Sequence, residues 1–334
     1  MVKYSFKRER FLIEDFSSAK TFASFLPAVA GEDGKPLWAF YANVGQAMGG
    51  FGVSSKETPI TPFDSANLAY SNIPVKGFRT FLRVNGSFYA PFFDKKTSSK
   101  RIMDIGWGDF SILEENPLFS MKVTYTSLSH HPYPALLRMV EIKNLTSEEM
   151  DVQGVDGTPI FFPLGLSNFC YKELVSLMAA YCQVDGLSEK APFVRFKTST
   201  GDNSIVSAQK SGNAFLSVDE AGERLLPIVD PEMVFGEDAS LLTCDPFLGD
   251  EDSFLRFPQQ TENKLPSAFS CFHKKLAPGQ AYRFLSLFGS FPSREEFKDR
   301  IGEVGYAWGE RQRKATEKLI RELISPCQVE TAYP

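Results

Sequence analysis

Between residues 119 and 126 the chain alternates without a break. Phe119, Met121, Val123 and Tyr125 are large and apolar, and Ser120, Lys122, Thr124 and Thr126 between them are polar. Successive side chains of a strand point to opposite faces, so this run predicts a half-buried antiparallel strand. Apolar runs at 136–142 and 150–153 follow. The polar tract NLTSEE at 144–149 separates them and reads as a hairpin connection. Further strand-like runs lie at 37–44, 78–84, 193–197, 214–218, 254–257, 269–272 and 282–288. Segments with Gly or Pro at 31–36, 154–159, 201–203 and 278–279 are expected to turn the chain between runs. No helices alternate with the strands, which excludes a parallel α/β sheet and predicts an antiparallel sandwich. One interruption spans 167–181, whose 172–180 portion reads as a short helix across a sheet edge.

Beyond about residue 290 the period changes. Ser293 and Glu296 form a capping box just before Phe297. Apolar residues then recur at Phe297, Ile301, Val304, Trp308, Ala315, Leu319 and Leu323, spacings of three, four and seven that mark a helix. Gly302, Gly305 and Gly309 each weaken a helix by ~1 kcal/mol relative to Ala and point to a break near 305–309. Ser325-Pro326 is expected to stop the helix.

Composition fits this β-rich reading. Phe occurs 31 times in 334 residues, and aromatics make up 13%, an excess that favours strands. With 36 Lys+Arg against 41 Asp+Glu the net charge is −5, which argues against a nucleic-acid partner. No window reaches the ~20 apolar residues of a membrane span, and the N-terminus has no secretory apolar core. The five cysteines (Cys170, Cys182, Cys244, Cys271, Cys327) are scattered, with no C-x-x-C. They read as reduced thiols of a cytoplasmic protein. The sequon Asn144-Leu145-Thr146 therefore reads as chance.

Candidate chemistry is sparse. His130 and His131 are adjacent and on a strand would face opposite ways, and His273 falls near a strand end, so structural roles are expected. The glycines at 45, 49, 50 and 52 lack the Lys-Ser/Thr of a phosphate loop and read as a turn. The acids Asp245, Asp250, Glu251 and Asp252 do not follow calcium-loop spacing, so no metal is expected. Asp104 and Asp109 flank Gly106-Trp107-Gly108; two carboxylates could serve glycoside chemistry at a suitable separation, which sequence does not fix. Sugar recognition needs aromatic faces with Asp, Asn or Arg nearby. Trp38 and Tyr41 in LWAFYAN and Trp107 and Asp109 in GWGD carry that mix.

Several stretches resemble the N-terminal region of glycoside hydrolase family 94, the glycoside phosphorylases, nearest the 1,2-β-oligoglucan and cellobiose phosphorylase branches. They are FASFLPAVAG (22–31), PLWAFYANVGQ (36–46), GFRTFLRV (77–84), VEIKNLTSEEMDVQGVDGTPIFFPLGLSNF (140–169), FVRFKTSTGD (193–202) and IVDPEMVFGEDASL (228–241). The resemblance keeps its order and covers nearly the whole chain. It implies a mainly β fold, a large antiparallel supersandwich of the galactose-mutarotase type followed by an α-helical linker. The domains expected are a sandwich at 1–290 and a linker at 291–334 that leads to an (α/α)6 barrel.

In that family the barrel carries the catalytic acid and the phosphate-binding groups, so no catalytic residue transfers to this sequence. The chain ends where the linker would enter the barrel, which fits an excised domain, a split or truncated gene, or a subunit serving a separate barrel. The resemblance implies a role in phosphorolysis of β-linked gluco-oligosaccharides, with inorganic phosphate as co-substrate and no other cofactor. The barrel would be a partner in cis or in trans, and a homodimer is a further expectation. Accessory sugar contacts are expected among Trp38, Tyr41, Arg79, Trp107, Asp109 and Asn168. The alternatives are a stand-alone carbohydrate-binding or scaffold module and, less in keeping with three histidines, a mutarotase-like enzyme. Without a barrel, the stripe of Phe297, Ile301, Val304 and Trp308 is expected to lie exposed and to promote association.

Overall fold

The computed structural model describes residues 2–26, 36–94, 97–200, 204–249 and 258–327. Its first part carries β1 (Lys3–Lys7), β2 (Arg10–Glu14), β3 (Ala23–Phe25), β4 (Leu37–Ala42), β5 (Met48–Val53), α1 (Ala66–Lys76), β6 (Arg79–Val84) and β7 (Ser87–Tyr89). The middle holds β8 (Lys100–Ile105), β9 (Asp109–Glu115), β10 (Phe119–Ser127), β11 (Ala135–Asn144) and β12 (Met150–Thr158). Next come α2 (Asn168–Glu173), α3 (Val175–Ala179), β13 (Cys182–Asp185), β14 (Phe193–Phe196), β15 (Gly212–Asp219), β16 (Leu226–Ile228), α4 (Glu232–Phe235) and α5 (Asp245–Leu248). β17 (Ala268–Leu276), β18 (Ala281–Phe291), α6 (Arg294–Arg300) and α7 (Tyr306–Ile324) complete it.

The strands form three antiparallel sheets. The largest runs β1-β2-β8-β9-β10-β11-β18-β15-β14-β13; the others are β16-β17-β12-β6-β7 and β3-β4-β5. Mainly β, antiparallel and followed by helices, this is the predicted fold class. The alternation at 119–126 works as expected. Phe119, Met121, Val123 and Tyr125 are buried in the core shared with both smaller sheets. The Phe excess sits in the same place: the Phe288 ring meets Phe78 at 5.0 Å, Phe215 at 6.0 Å and Phe161 at 6.1 Å.

Two turn assignments need correction. The tract at 144–149 does not close a hairpin. β11 pairs with β10 and β18 in the large sheet, whereas β12 pairs with β17 and β6 in the five-stranded one. The polar tract crosses between sheets, anchored by Asn144, whose amide donates to the carbonyls of Glu148 at 2.7 Å and Leu276 at 2.9 Å. Residues 154–158 are not a turn either but continue β12, where the Phe272 ring fills the space beside Gly154 that a side chain would need. The strand expected at 254–257, the turn at 201–203, most of that at 31–36 and the acids Asp250, Glu251 and Asp252 lie outside the described residues.

The C-terminal stripe is also corrected. Phe297, Ile301, Val304 and Trp308 are 0%, 5%, 7% and 5% exposed, packed on Leu137, Met139, Leu216, Val218, Leu285 and Leu287. These sheet residues form an apolar outer face, so the chain covers its own stripe. The Ser293 cap is present, its hydroxyl accepting from the Glu296 amide at 3.2 Å. The helix breaks at residues 301–305, and the break shifts the phase of the second helix relative to the first. In α7 the buried positions are Trp308, Gly309, Thr316 and Ile320, while Leu323 is 53% exposed.

Between the sheets lies a polar network around Arg138, which is wholly buried. Its Nη1 pairs with Asp156 on the opposite sheet, and its Nη2 donates to Gln46 Oε1 at 2.5 Å. Gln46 Nε2 donates to Thr80 Oγ1 at 2.8 Å, and Thr80 donates to Asp156 at 2.5 Å. Tyr125 OH donates to the Gln46 carbonyl at 2.9 Å. Burial opposes the Arg138 cation, but Asp156 and Tyr125 outweigh it and its pKa rises. Burial pushes Tyr125 up to about 12. Removing one member of a buried pair strands the other charge and costs about 3–5 kcal/mol. Arg138→Met is therefore expected to lower the urea unfolding free energy by about that amount.

Candidate functional site

The outer face of the large sheet is apolar only in part. Across it, Leu285 faces Met139, Met139 faces Thr124, Thr124 faces Ser111 and Ser111 faces Asp104. The row thus runs from apolar to polar between β18 and β8. Trp308 and the α6 side chains cover the apolar end. α7 continues over the polar end and leaves a cleft of 470 Å³ beneath it.

The Gly106-Trp107-Gly108 turn lets the helix approach. Gly108 has φ +78°, and a Cβ there would lie 2.5 Å from Ile320 Cδ1. β9 starts immediately afterwards and directs Asp109 into the cleft, with its side chain 2% exposed. Asp109 Oδ1 accepts from Arg10 Nη1 at 2.8 Å and Oδ2 from Arg313 Nη1 at 2.8 Å. Arg10 Nε also pairs with Asp104 at 2.6 Å, and Arg313 Nη2 with Glu310 at 3.0 Å. Asp104, Arg10, Asp109, Arg313 and Glu310 therefore form a ladder of alternating charge that ties β8, β2 and β9 to α7. Burial works against both arginine cations, yet their carboxylate partners raise the pKa of each. Lys122, Glu141 and Tyr306 line the remainder of the cleft.

This arrangement limits the chemistry. Asp104 and Asp109 are both held on Arg10, and both Asp109 oxygens are taken by guanidinium groups. A general acid must carry a proton and reach the leaving-group oxygen, whereas Asp109 is 2% exposed and held between two guanidinium cations, which favour its ionised form. No histidine lines the cleft. His131 packs on Trp308 at 5.8 Å, and His273 pairs with Asp151 at 2.9 Å on the surface. Among the described residues no group of His, Cys, Asp and Glu is placed to hold a metal. No helix of the described residues is long and apolar enough to cross a membrane. The cleft can instead offer alternating donors and acceptors to a neutral polar ligand.

The predicted sugar contacts are dispersed. Trp38 and Asn168 meet at Phe63: the Trp38 ring lies edge-on to it at 5.2 Å, and the Asn168 amide donates to its carbonyl at 2.7 Å. Tyr41 is 5% exposed and stacks on Phe110 at 4.4 Å. Arg79 is 4% exposed, lies over Phe81 at 4.6 Å and Phe93 at 4.9 Å, and donates to the Leu241 carbonyl. Burial lowers its pKa to about 10. Trp107 sits beside the cleft with the Arg321 guanidinium 5.7 Å from its ring. Asp109 alone of the six lines the cleft. Sequence reasoning missed Arg10 and Arg313, which meet Asp109 across 99 and 204 residues, a separation that leaves no local signal.

No family model and no curated protein matches the chain. Among solved structures it is similar to a protein from the human microbiome designated a kojibiose phosphorylase, at 7% identity and a TM-score of 0.41, covering 96% of this chain and 38% of that one. A bacterial glucoamylase complexed with acarbose gives 8% identity and a TM-score of 0.40, with 91% and 41% covered. A protein of Klebsiella pneumoniae designated an aldose 1-epimerase gives 9% identity and a TM-score of 0.36, with 94% and 87% covered. The chain spans about two fifths of the length of the first two.

Two outcomes are expected from the site. Asp109→Asn leaves two arginines facing one another and is expected to cost about 2–3 kcal/mol, less than a fully buried pair because both arginines remain partly exposed. Amide exchange should quicken in α7 and stay slow in β11 and β18. The second concerns thiols. Burial pushes Cys182 and Cys244 up to about 12, whereas Cys327 is exposed. Iodoacetamide at about pH 8 should label Cys327 and spare those two, as counted by mass spectrometry.

Proposed function

We propose that this chain is the sandwich and helical connector of an inverting glycoside phosphorylase that acts on β-linked gluco-oligosaccharides in the cytoplasm. In this reading residues 1–290 form the sandwich and 291–334 the connector to an (α/α)6 barrel, in cis or in trans. The sandwich shapes and steadies the enzyme, and the barrel supplies the acid that protonates the glycosidic oxygen while phosphate attacks the anomeric carbon.

One observation carries most of the weight. Gln46, Thr80 and Asp156 come from three separate stretches that resemble the phosphorylases, and they meet in one hydrogen-bonded network on Arg138. Similarity that is scattered along the sequence thus has a shared physical purpose at the centre of the fold. The paired state of Asp104 and Asp109 supports the non-catalytic part of the reading. The polar lining of the α7 cleft suits hydroxyl-rich substrates.

The test is direct. The purified chain, incubated with inorganic phosphate and β-1,2- or β-1,4-linked gluco-oligosaccharides, is expected to release no sugar 1-phosphate. Release above the level of a heat-denatured control would place the chemistry within the chain and overturn the non-catalytic assignment.

A further inference from the structure

The five-stranded sheet ends on β7, whose outer edge has no partner strand among the described residues. Beside this edge the sandwich opens into a groove of 610 Å³, within the range of about 300–1,000 Å³ common for small-ligand sites. Among the described residues one wall is β7 with residues from 90–94 and 97–99, and the other is the turn between β9 and β10. None of the residues lining the α7 cleft lines this groove.

Four rings line it: Phe88, Tyr89, Phe93 and Phe119. Each is held by a neighbour. Phe88 stacks on Phe81 at 6.2 Å, Tyr89 meets Phe119 edge-on at 5.4 Å, and Phe93 lies 4.9 Å from the Arg79 guanidinium. Phe88 nevertheless stays 41% exposed. The floor is fixed by Glu114, whose Oε2 accepts from Arg101 Nε and from the Phe92 amide, both at 2.7 Å. Arg101 Nη1 donates to the Asp94 carbonyl at 2.7 Å, while the Asp94 carboxylate takes no hydrogen bond from the described residues. Thr97 and Ser98 add exposed hydroxyls to the rim.

We infer that this groove binds a neutral pyranose, a glucosyl unit of a gluco-oligosaccharide, at a site distinct from the α7 cleft. A pyranose has an apolar C–H face and a rim of hydroxyls. The rigid rings match the first, and the Asp94 carboxylate with the Thr97 and Ser98 hydroxyls matches the second. The inference rests on the proposed carbohydrate role only for the choice of ligand.

Titration calorimetry of the whole chain with β-1,2- and β-1,4-linked glucotetraose tests it. The wild type is expected to bind one of them, and Phe88→Ala to weaken that binding about tenfold, the scale of one lost aromatic contact. Asp94→Asn should weaken it by a smaller factor while leaving the urea midpoint unchanged, which separates lost recognition from lost folding. Equal affinity in Phe88→Ala and wild type overturns the site. Heat that survives Phe88→Ala but disappears in Lys122→Ala moves the sugar to the α7 cleft; it overturns the groove and leaves the carbohydrate reading standing. No heat from the wild type with either sugar also overturns the groove, and the phosphorolysis assay then judges the enzyme reading separately.

Discussion

A guanidinium wholly enclosed between sheets cannot be left unanswered, because an unpaired buried charge costs more than most domains can bear. Arg138 imposes that demand here. Its partners come from all three sheets or the turns between their strands: Tyr125 beside it on β10, Asp156 on the opposite sheet, and Gln46 between β4 and β5, with Thr80 joining the last two. A sheet shifted by one residue would present the wrong face and leave the network unsatisfied. The apolar core around it supplies most of the driving force for folding. The network supplies the register in which the three sheets meet.

That register fixes the other side of the large sheet as well. With Tyr125 and Val123 turned inward, Thr124 and Lys122 must turn outward, as must Met139 and Glu141 on the next strand. The outer face therefore divides into an apolar half and a polar half, and the helical segment follows the division. α6 and the start of α7 bury the stripe on the apolar half. Farther on, α7 is held by the ladder from Asp104 to Glu310, with Thr316 donating to the Ser127 carbonyl at 2.9 Å. The helical segment is thus a built part of the fold, firmly seated on the large sheet.

The sequence made the periodic features legible. The alternation at 119–126 and the cap at Ser293 each reflect a local rule and appear where the pattern places them, and the stripe at 297–308 is buried although the helix breaks within it, at 301–305, earlier than the glycines suggested. Features that depend on long-range partners were less legible. The tract at 144–149 has the composition of a hairpin turn, but the longer ladders to β18 and β17 decide where its flanking strands go. Gly154 reads as punctuation, although it is a gap made for Phe272. Arg138 left a faint sign, a charge set between Leu136-Leu137 and Met139-Val140. Nothing near Arg10 announces that it will join two aspartates 94 and 99 residues away. The six predicted sugar contacts were chosen by residue type, and type alone does not say whether a ring or a carboxylate is already engaged.

The central claim is that this chain works with an (α/α)6 barrel in phosphorolysis. The most direct measurement is on the native protein that carries the chain, purified from its source and supplied with phosphate and a β-linked gluco-oligosaccharide, with the products followed by proton and phosphorus NMR. The account predicts an α-configured glucose 1-phosphate, the signature of direct attack with inversion. Free glucose released by water, or no reaction with any β-linked gluco-oligosaccharide, would contradict it.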